Sequence, residues 1–218
     1  MMIASPYSCQ RPCSCTEINH PTQLIVLTGG PGAGKTATLE FMRKVLCEHI
    51  AILPEAASIL FGGGFWRLDT VSAHKAEQRA IYHVQNQLQN LVQGEEKWTL
   101  GLCDRGTLDS LAFWPGPAEE FFQAIYSTRE KEYAKFRAVI HLHSPSEKMG
   151  YNHQNPIRIE SAEEAARIDE KIHLVWKEHP DYHLIDNALN FSEKVAKTSS
   201  LIQSYISSCC KQHLETVK

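Results

Sequence analysis

Short apolar runs alternate along the chain with longer stretches in which apolar residues recur every three or four positions. A short apolar run favours a buried strand, and the longer period favours an amphipathic helix. Their alternation from Gln23 onward is typical of βαβ units around a parallel sheet. The pattern predicts five strands, over residues 24–28, 50–54, 98–103, 138–143 and 182–186.

Helices are predicted between and after these strands. Residues 35–49 and 73–92 repeat apolar positions on one face. Ser161 and Glu164 form the sequence signature of a capping box ahead of a third helix, and a fourth lies near the end of the sequence. We therefore expect one ordered domain over residues 23–213.

Residues 1–22 are polar and show no periodicity, so we expect an unfolded leader there. Four possible zinc ligands lie within it: Cys9, Cys13, Cys15 and His20. Their spacing matches no paired-knuckle pattern, so a zinc site is not expected. Cys209 and Cys210 are adjacent at the end of the last helix, where we expect ordinary surface residues. The odd total of 7 cysteines argues against a disulfide framework.

Composition narrows the class of protein. The 218 residues are 43% apolar and 22% charged, as in a globular domain. A net charge of −3 cannot supply the cationic face that nucleic acids need, so no nucleic-acid partner is expected. No apolar run approaches the roughly 20 residues of a membrane span, and no secretory signal precedes the domain, so we expect a cytoplasmic protein with no membrane partner. The 11 histidines show no metal-ligand spacing.

A glycine-rich segment follows the first predicted strand and opens the first predicted helix. Its sequence, GGPGAGKT, fits the P-loop motif G-x-x-x-x-G-K-[ST]. In such loops the backbone amides surround phosphate oxygens, the lysine reaches the β and γ phosphates, and the hydroxyl ligates Mg²⁺. No guanine-reading motif is present, so we expect ATP with Mg²⁺. The predicted nucleotide contacts are Gly29, Gly30, Pro31, Gly32, Ala33, Gly34, Lys35 and Thr36.

The third predicted strand leads into Asp104 and Arg105, which decide the reaction class. Hydrolytic P-loop motors usually place a second acid beside the metal-binding one to activate water. Kinases of small metabolites instead end this strand in an acid followed by arginine, and the acid engages the metal or the acceptor hydroxyl while the arginine neutralises phosphate. We predict Thr36 and Asp104 as metal ligands. The alternatives are a helix cap for Asp104 and a surface ion pair for Arg105.

Two more residues are candidates for the acceptor. Glu55 follows the second strand at the carboxyl edge of the sheet, where open α/β folds bind ligands. There it could accept a proton or hold a sugar hydroxyl, although it could also cap the next helix. Arg67 ends the glycine-rich and aromatic segment 61–67, which is either a mobile flap or a surface turn. We predict Glu55, Arg67 and Arg105 as acceptor-binding residues.

Residues 149–160 form a polar segment between the fourth strand and the capped helix. In a kinase of this topology that segment is the lid, whose arginine closes on the transferring phosphoryl group and excludes water. We assign this role to Arg158. The alternative is an ion pair of Arg158 with Glu160 or Glu164.

Six segments beyond the P-loop carry a resemblance to a known family. They are residues 53–57 (LPEAA), 63–67 (GGFWR), 78–85 (QRAIYHVQ), 103–109 (CDRGTLD), 155–161 (NPIRIES) and 176–180 (WKEHP). With the P-loop, the chain resembles the AAA-domain ATP-binding proteins related to nicotinamide riboside kinases. The resemblance implies a P-loop kinase-like fold that binds ATP with Mg²⁺. It implies that the site is surrounded by Glu55, Arg67, Asp104, Arg105 and Arg158. No single substrate is implied, because plain ATP-binding proteins and riboside kinases share these motifs.

The sequence therefore predicts a three-layer α/β P-loop NTPase domain of the nucleoside- or nucleotide-kinase type. We expect transfer of the γ-phosphoryl group of ATP to a small acceptor such as a nucleoside or riboside. Lys35, Arg105 and Arg158 would stabilise charge, and either Asp104 or Glu55 would handle the acceptor proton. The alternative function is a regulatory ATP-binding module with slow or no ATPase activity.

Overall fold

Five strands form one sheet: β1 (Gln23–Thr28), β2 (Ile50–Leu53), β3 (Leu100–Asp104), β4 (Ala138–Leu142) and β5 (Tyr182–Ile185). Their order across the sheet is β2-β3-β1-β4-β5, and every pairing is parallel. The computed structural model describes residues 9–13, 15–16, 20–144, 162–186 and 190–211. The predicted five-stranded parallel sheet is confirmed.

The described residues contain nine helices: α1 (Lys35–Val45), α2 (Ala56–Gly62), α3 (Val71–Gly94), α4 (Asp109–Ala112), α5 (Ala118–Ile125), α6 (Arg129–Tyr133), α7 (Ala162–Trp176), α8 (Phe191–Tyr205) and α9 (Ser208–Lys211). The first helix ends four residues before the predicted His49, because Leu46 is extended, with φ −91° and ψ 160°. Periodicity missed this end because Leu46 continues the buried face. None of these helices has both the length and the apolar character needed to cross a membrane.

The sheet separates two apolar layers, because alternate residues of a strand point to opposite faces. Ile25 and Leu27 of β1 pack in the cluster that contains residues of α1 and α8. Leu24 and Val26 pack in the opposite cluster, with residues of α3, α5 and α7. This sandwich of helix, sheet and helix is the predicted three-layer α/β architecture.

The central position of β1 determines where the chemistry falls. Parallel strands end at the same edge of a sheet, and the register pairs Leu27 of β1 with Asp104 of β3. Leu53, the last residue of β2, pairs with Cys103. The residues that follow β1, β2 and β3 therefore emerge side by side at the carboxyl edge.

The described part of the segment before β1 contacts the domain. Cys9 is buried in the apolar layer beside α1, and its amide donates to the carbonyl of Ile50 at 3.0 Å. Arg11 forms a parallel bridge with Cys47. The sequence analysis, which treated residues 1–22 as an unfolded leader, did not predict these contacts, because they are backbone hydrogen bonds that leave no periodic side-chain pattern.

Cys210 corrects a second expectation. It was assigned to the surface, but only 2% of it is exposed, and it packs in the same apolar layer as Cys9, Cys47 and Ile206. The short helix α9 turns it inward. A four-residue helix is too short for a hydrophobic period to reveal its buried side.

Glu132 of α6 is a fully buried carboxylate that joins several elements. It accepts hydrogen bonds from the hydroxyls of Tyr82, Thr107 and Ser127 at 2.9, 2.6 and 2.5 Å, and from Lys135 Nζ at 2.7 Å. Burial alone would raise its pKa, but Lys135 and the hydroxyl donors outweigh burial and lower it. The folded state therefore holds Glu132 as an anion.

We expect Glu132→Gln to lower the free energy of unfolding by about 2–3 kcal/mol, because an amide replaces a charged acceptor that serves several buried donors. Folding lowers the pKa of Glu132 below the value of 4.5 that it has in the unfolded chain. The charged carboxylate therefore contributes its full share of stability above pH 4.5, and that share is lost as the pH falls below this value. Urea unfolding at neutral and acid pH measures both effects. The exposed Glu119→Gln is the control, and equal stability of the two variants would contradict the assignment.

Candidate functional site

The loop between β1 and α1 runs close over the end of β4. Gly29 has φ +136°, and a Cβ there would lie 2.1 Å from the carbonyl oxygen of Leu142. Gly34 is the left-handed N-cap of α1, with φ 95°, and it makes no side-chain capping bond. Only glycine fits these two positions without strain. No side chain among the described residues caps the first amides of α1, so these amides can bind an anion.

Lys35 closes the concave side of this loop. Its Nζ donates to the carbonyl oxygens of Gly29 and Gly30 at 2.8 and 2.9 Å, and 7% of the residue is exposed. Burial, the largest cause, and the neighbouring Arg105 together lower the pKa of Lys35 to about 8, against the opposing charge of Asp104. An anionic ligand beside Nζ would favour the charged form.

Asp104, the last residue of β3, has the least satisfied side chain of the site. It is 8% exposed, and its Oδ1 is buried without a hydrogen-bond partner among the described residues. Burial raises its pKa to about 6, although Lys35 opposes this shift. Such an orphaned oxygen fits a hard cation such as Mg²⁺, and the exposed hydroxyl of Thr36 is a donor of the same kind. The helix-cap alternative for Asp104 is wrong, because α4 begins only at Asp109.

Arg105 has a left-handed backbone, with φ 73°, which is uncommon for a residue with a side chain. Its Nε donates to Glu55 Oε1 at 2.6 Å, and its Nη1 donates to Gly29 O and Asp109 Oδ2 at 3.3 and 3.4 Å. The side chain is 16% exposed. Burial disfavours its charge, but Glu55 and Asp109 outweigh burial and raise its pKa. The guanidinium is thus fixed beside the P-loop.

Glu55 occupies the N-cap position of α2 but makes no side-chain capping bond. Its carboxylate instead accepts Arg105 at Oε1 and the Ser58 hydroxyl at Oε2, the latter at 2.6 Å. Burial would raise its pKa, yet Arg105 and Ser58 outweigh burial and bring it to about 2. Glu55 is therefore an anion with both oxygens engaged.

Asp109 is a site residue that the sequence analysis named only within a resembling segment. Its Oδ2 accepts from Thr28 Oγ1 at 2.6 Å and from Arg105, and its Oδ1 accepts from Trp176 Nε1 at 2.6 Å. It is 3% exposed. The i, i+4 spacing after Arg105 was the one local signal for it. Asp109 connects the end of β1 to α4 and α7.

Asp169 of α7 was not predicted at all. Its carboxylate accepts from the amides of Gly30 at 2.5 Å and Ser144 at 3.1 Å, from His141 at 2.9 Å, and from His143. Burial would raise its pKa, but His141 and the two amides outweigh burial and hold it well below its usual range. The two histidines and Asp169 lie close enough to hold a metal, but these bonds already occupy both carboxylate oxygens. Asp169 therefore attaches α7 to the P-loop.

The structure brings Lys35, Glu55, Asp104 and Arg105 together but gives Arg67 another neighbour. The Arg67 guanidinium lies 3.7 Å from the centre of the Phe61 ring, a stacking contact within the predicted flap. The contact described for Arg67 is thus separate from the hydrogen bonds that join Arg105 to Glu55, Asp109 and Gly29. Arg158 lies outside the described residues, so its role stays a prediction.

The sheet order, the glycine-rich loop and the residues at its edge define a P-loop nucleotide-binding domain. A family model described as an AAA domain matches residues 24–194, which is most of the chain. The chain belongs to this AAA-domain family. A comparison with curated proteins finds no match. The kinase-like specificity within the family stays a prediction.

We expect the affinity for ATP to fall with rising pH above about 8, the pKa of Lys35. Bound phosphates raise the pKa of Lys35. At a pH between its pKa in the free protein and its pKa in the complex, Lys35 therefore takes up a proton when ATP binds. The dissociation constant then rises by at most about tenfold per pH unit. Calorimetric titrations across this pH range measure the slope.

Lys35→Arg should remove most of this pH dependence, because arginine stays protonated throughout the range. Lys44→Ala, at an exposed position of the same helix, is the control and should keep the wild-type profile. A flat profile in the wild-type protein would contradict the assignment of Lys35 to the phosphates.

Proposed function

We propose that the protein is a kinase that transfers the γ-phosphoryl group of ATP to a small-molecule acceptor. The observation that carries this proposal is Arg105, a largely buried cation held by Glu55 Oε1 at 2.6 Å and by the P-loop carbonyl of Gly29 at 3.3 Å. It directly follows Asp104, where a hydrolytic site would need a second acid. A fixed positive charge there favours phosphoryl transfer over activation of water.

The P-loop would hold the triphosphate through the amides at the start of α1 and through Lys35, whose Nζ is already beside the loop. Bound Mg²⁺ would be held by Thr36 and Asp104 and would neutralise charge on the phosphate oxygens. Lys35 and Arg105 would stabilise the charge that develops during transfer. Because phosphoryl transfer depends mainly on positioning and electrostatics, no covalent intermediate is needed.

The carboxylates nearest Arg105 support transfer in a second way. Glu55 and Asp109 both accept from its guanidinium, and their other oxygens accept from Ser58 and from Trp176. Both carboxylates are thus engaged with Arg105, and neither is placed as the second acid that a hydrolytic site would use to activate water.

Proton handling divides between Asp104 and Glu55. With a pKa of about 6, Asp104 is matched to accept a proton near neutral pH, whereas Glu55, with a pKa of about 2, is a weak base. Bound Mg²⁺ at the same oxygen would lower the pKa of Asp104, so Asp104 cannot hold the metal and take the acceptor proton at once. Asp104→Asn separates the two roles: loss of a metal ligand should raise the Mg²⁺ concentration needed for activity, whereas loss of the base should change the pH profile. Glu55 is assigned to orienting Arg105 and the acceptor.

The acceptor class rests on the resemblance to riboside kinases. A sugar hydroxyl suits a site that offers a carboxylate and two arginines, Glu55, Arg67 and Arg105. In the free protein Arg67 stacks on Phe61, a contact that an arriving acceptor could exchange for its own. Nucleosides and ribosides are therefore the first acceptors to test.

The test is ADP release measured with ATP, Mg²⁺ and a panel of nucleosides and ribosides. A kinase should release ADP at least about tenfold faster with one acceptor than without, and the phosphorylated acceptor should appear in equal amount. Lys35→Ala should abolish this release, while the exposed Lys44→Ala should retain it. ATP binding without stimulation by any acceptor would favour a regulatory nucleotide-binding module instead.

Arg158 is proposed to close on the phosphoryl group. Arg158→Ala should lower kcat by about a thousandfold while changing ATP affinity little, because its interaction strengthens in the transition state. Arg158→Lys should rescue poorly, because a single ammonium cannot reproduce a planar fork. The measurement is acceptor phosphorylation beside ATP affinity, with the exposed Arg137→Ala, at the opposite edge of the sheet, as control. Transfer within about threefold of wild type in both Arg158 variants would contradict the role.

A further inference from the structure

A cluster of cysteine and histidine side chains lies away from the P-loop. It contains Cys13 from the segment before β1, Cys47 and His49 from the connection between α1 and β2, and Cys210 from α9. His49 directly precedes the first residue of β2. The cluster is therefore at the amino edge of the parallel sheet, whereas the nucleotide site is at the carboxyl edge.

The four side chains have the spacing of a tetrahedral metal site. One sulfur or nitrogen atom from each lies within 4.8 Å of all the others. Cys13 Sγ is 3.8 Å from Cys210 Sγ, and Cys210 Sγ is 3.7 Å from His49 Nδ1. Zinc bonds of about 2.3 Å to sulfur and about 2.0 Å to nitrogen give tetrahedral edges of roughly 3.8 Å and 3.5 Å. Both measured edges fit these values.

We propose that Cys13, Cys47, His49 and Cys210 bind one zinc ion in a closed structural site. Three thiolates and one imidazole form one of the common donor sets of structural zinc, and soft sulfur ligands exclude Mg²⁺ and Ca²⁺. Cys47 and Cys210 are buried, and four protein ligands leave no open position for a substrate. The thiols bind as thiolates, and their protons pass to solvent.

The backbone around the cluster holds the ligands in place. The Cys13 amide donates to Glu48 Oε1 at 3.0 Å, and the Glu48 amide donates to Arg11 O at 2.8 Å. On the other side, the carbonyl of His49 accepts from the Thr99 amide at 2.9 Å. Interactions of this kind, behind the ligands, orient them toward a metal.

A neighbouring group competes for His49. Cys15 and His20 lie close to it, with Cys15 Sγ 3.8 Å from His20 Nε2 and the rings of His20 and His49 4.9 Å apart. That group supplies one thiol and two imidazoles, whereas the proposed site has four ligands and three thiols. The softer and more complete set is the stronger zinc site. Cys15 therefore supplies a control variant that also separates the two possibilities.

The proposed ion would join three chain segments that are far apart in sequence, since Cys13 and Cys210 are separated by 197 positions. Binding that occurs only in the folded chain adds its free energy to folding. The bound ion would thus fix the first described residues and α9 to the connection between α1 and β2. Its role is independent of the proposed kinase function.

The test uses the untagged full chain, purified without added metal or chelator. We expect about one zinc ion per chain by elemental analysis, and Co²⁺ substitution should give the absorption of a tetrahedral site with thiolate-to-cobalt charge transfer. Cys210→Ser should lower zinc affinity by about tenfold or more, and Cys47→Ser should do the same. Cys15→Ser should keep wild-type zinc. A chelator should lower the melting temperature of the wild-type chain but not that of Cys210→Ser.

Three results would overturn the proposal. The first is a wild-type chain without zinc that also fails to bind added Zn²⁺ or Co²⁺. The second is full zinc content in Cys210→Ser together with loss in Cys15→Ser, which would assign the metal to the neighbouring group. The third is a disulfide between Cys13 and Cys210 in the folded protein, detected by mass spectrometry without reductant. Because Cys210 lies in α9, a short helix outside the sheet, its variant should fold even if Cys47→Ser does not.

Discussion

Arg105 is a cation that the fold largely buries and therefore has to neutralise. Its neutralisation requires anionic or carbonyl oxygens from separate parts of the chain: Glu55 after β2, Asp109 in α4 and Gly29 in the P-loop. A buried guanidinium with any of these missing would destabilise the domain, since an unpaired charge is costly in a low-dielectric interior. The position of the glycine-rich loop relative to β2 and α4 is thus set by one charge.

The same charge separates the chemistry of two neighbouring carboxylates. Glu55 contacts Arg105 directly and has a pKa of about 2, whereas burial raises the pKa of Asp104 to about 6 and its Oδ1 has no hydrogen-bond partner among the described residues. Environments that push two similar groups apart in pKa are typical of sites where they have different tasks. The carboxylate of Glu55 holds the arginine, and the carboxylate of Asp104 remains open to a ligand or a proton.

Features carried by consecutive residues could be predicted from the sequence: the five strands, the P-loop, and the pair Asp104 and Arg105. Features that join distant residues could not. Gly30 and Asp169 are 139 positions apart, and no local pattern marks Asp169 as a partner of the loop. The spacing of the cysteines before β1 does not by itself indicate a zinc site, because the ligands of the proposed site come from three separate segments. Pairing across a fold leaves no trace in periodicity, which reports only which face of an element is buried.

Asp169 also holds three parts of the chain at one point. Its carboxylate accepts from the amide of Ser144, just after β4, at 3.1 Å and from the amide of Gly30 in the P-loop at 2.5 Å, while Asp169 itself lies in α7. Loss of this one carboxylate would therefore release the loop, the end of β4 and α7 from one another together. Substitutions within such a shared network are not additive, so Asp169 and its partners should behave as one unit in stability measurements.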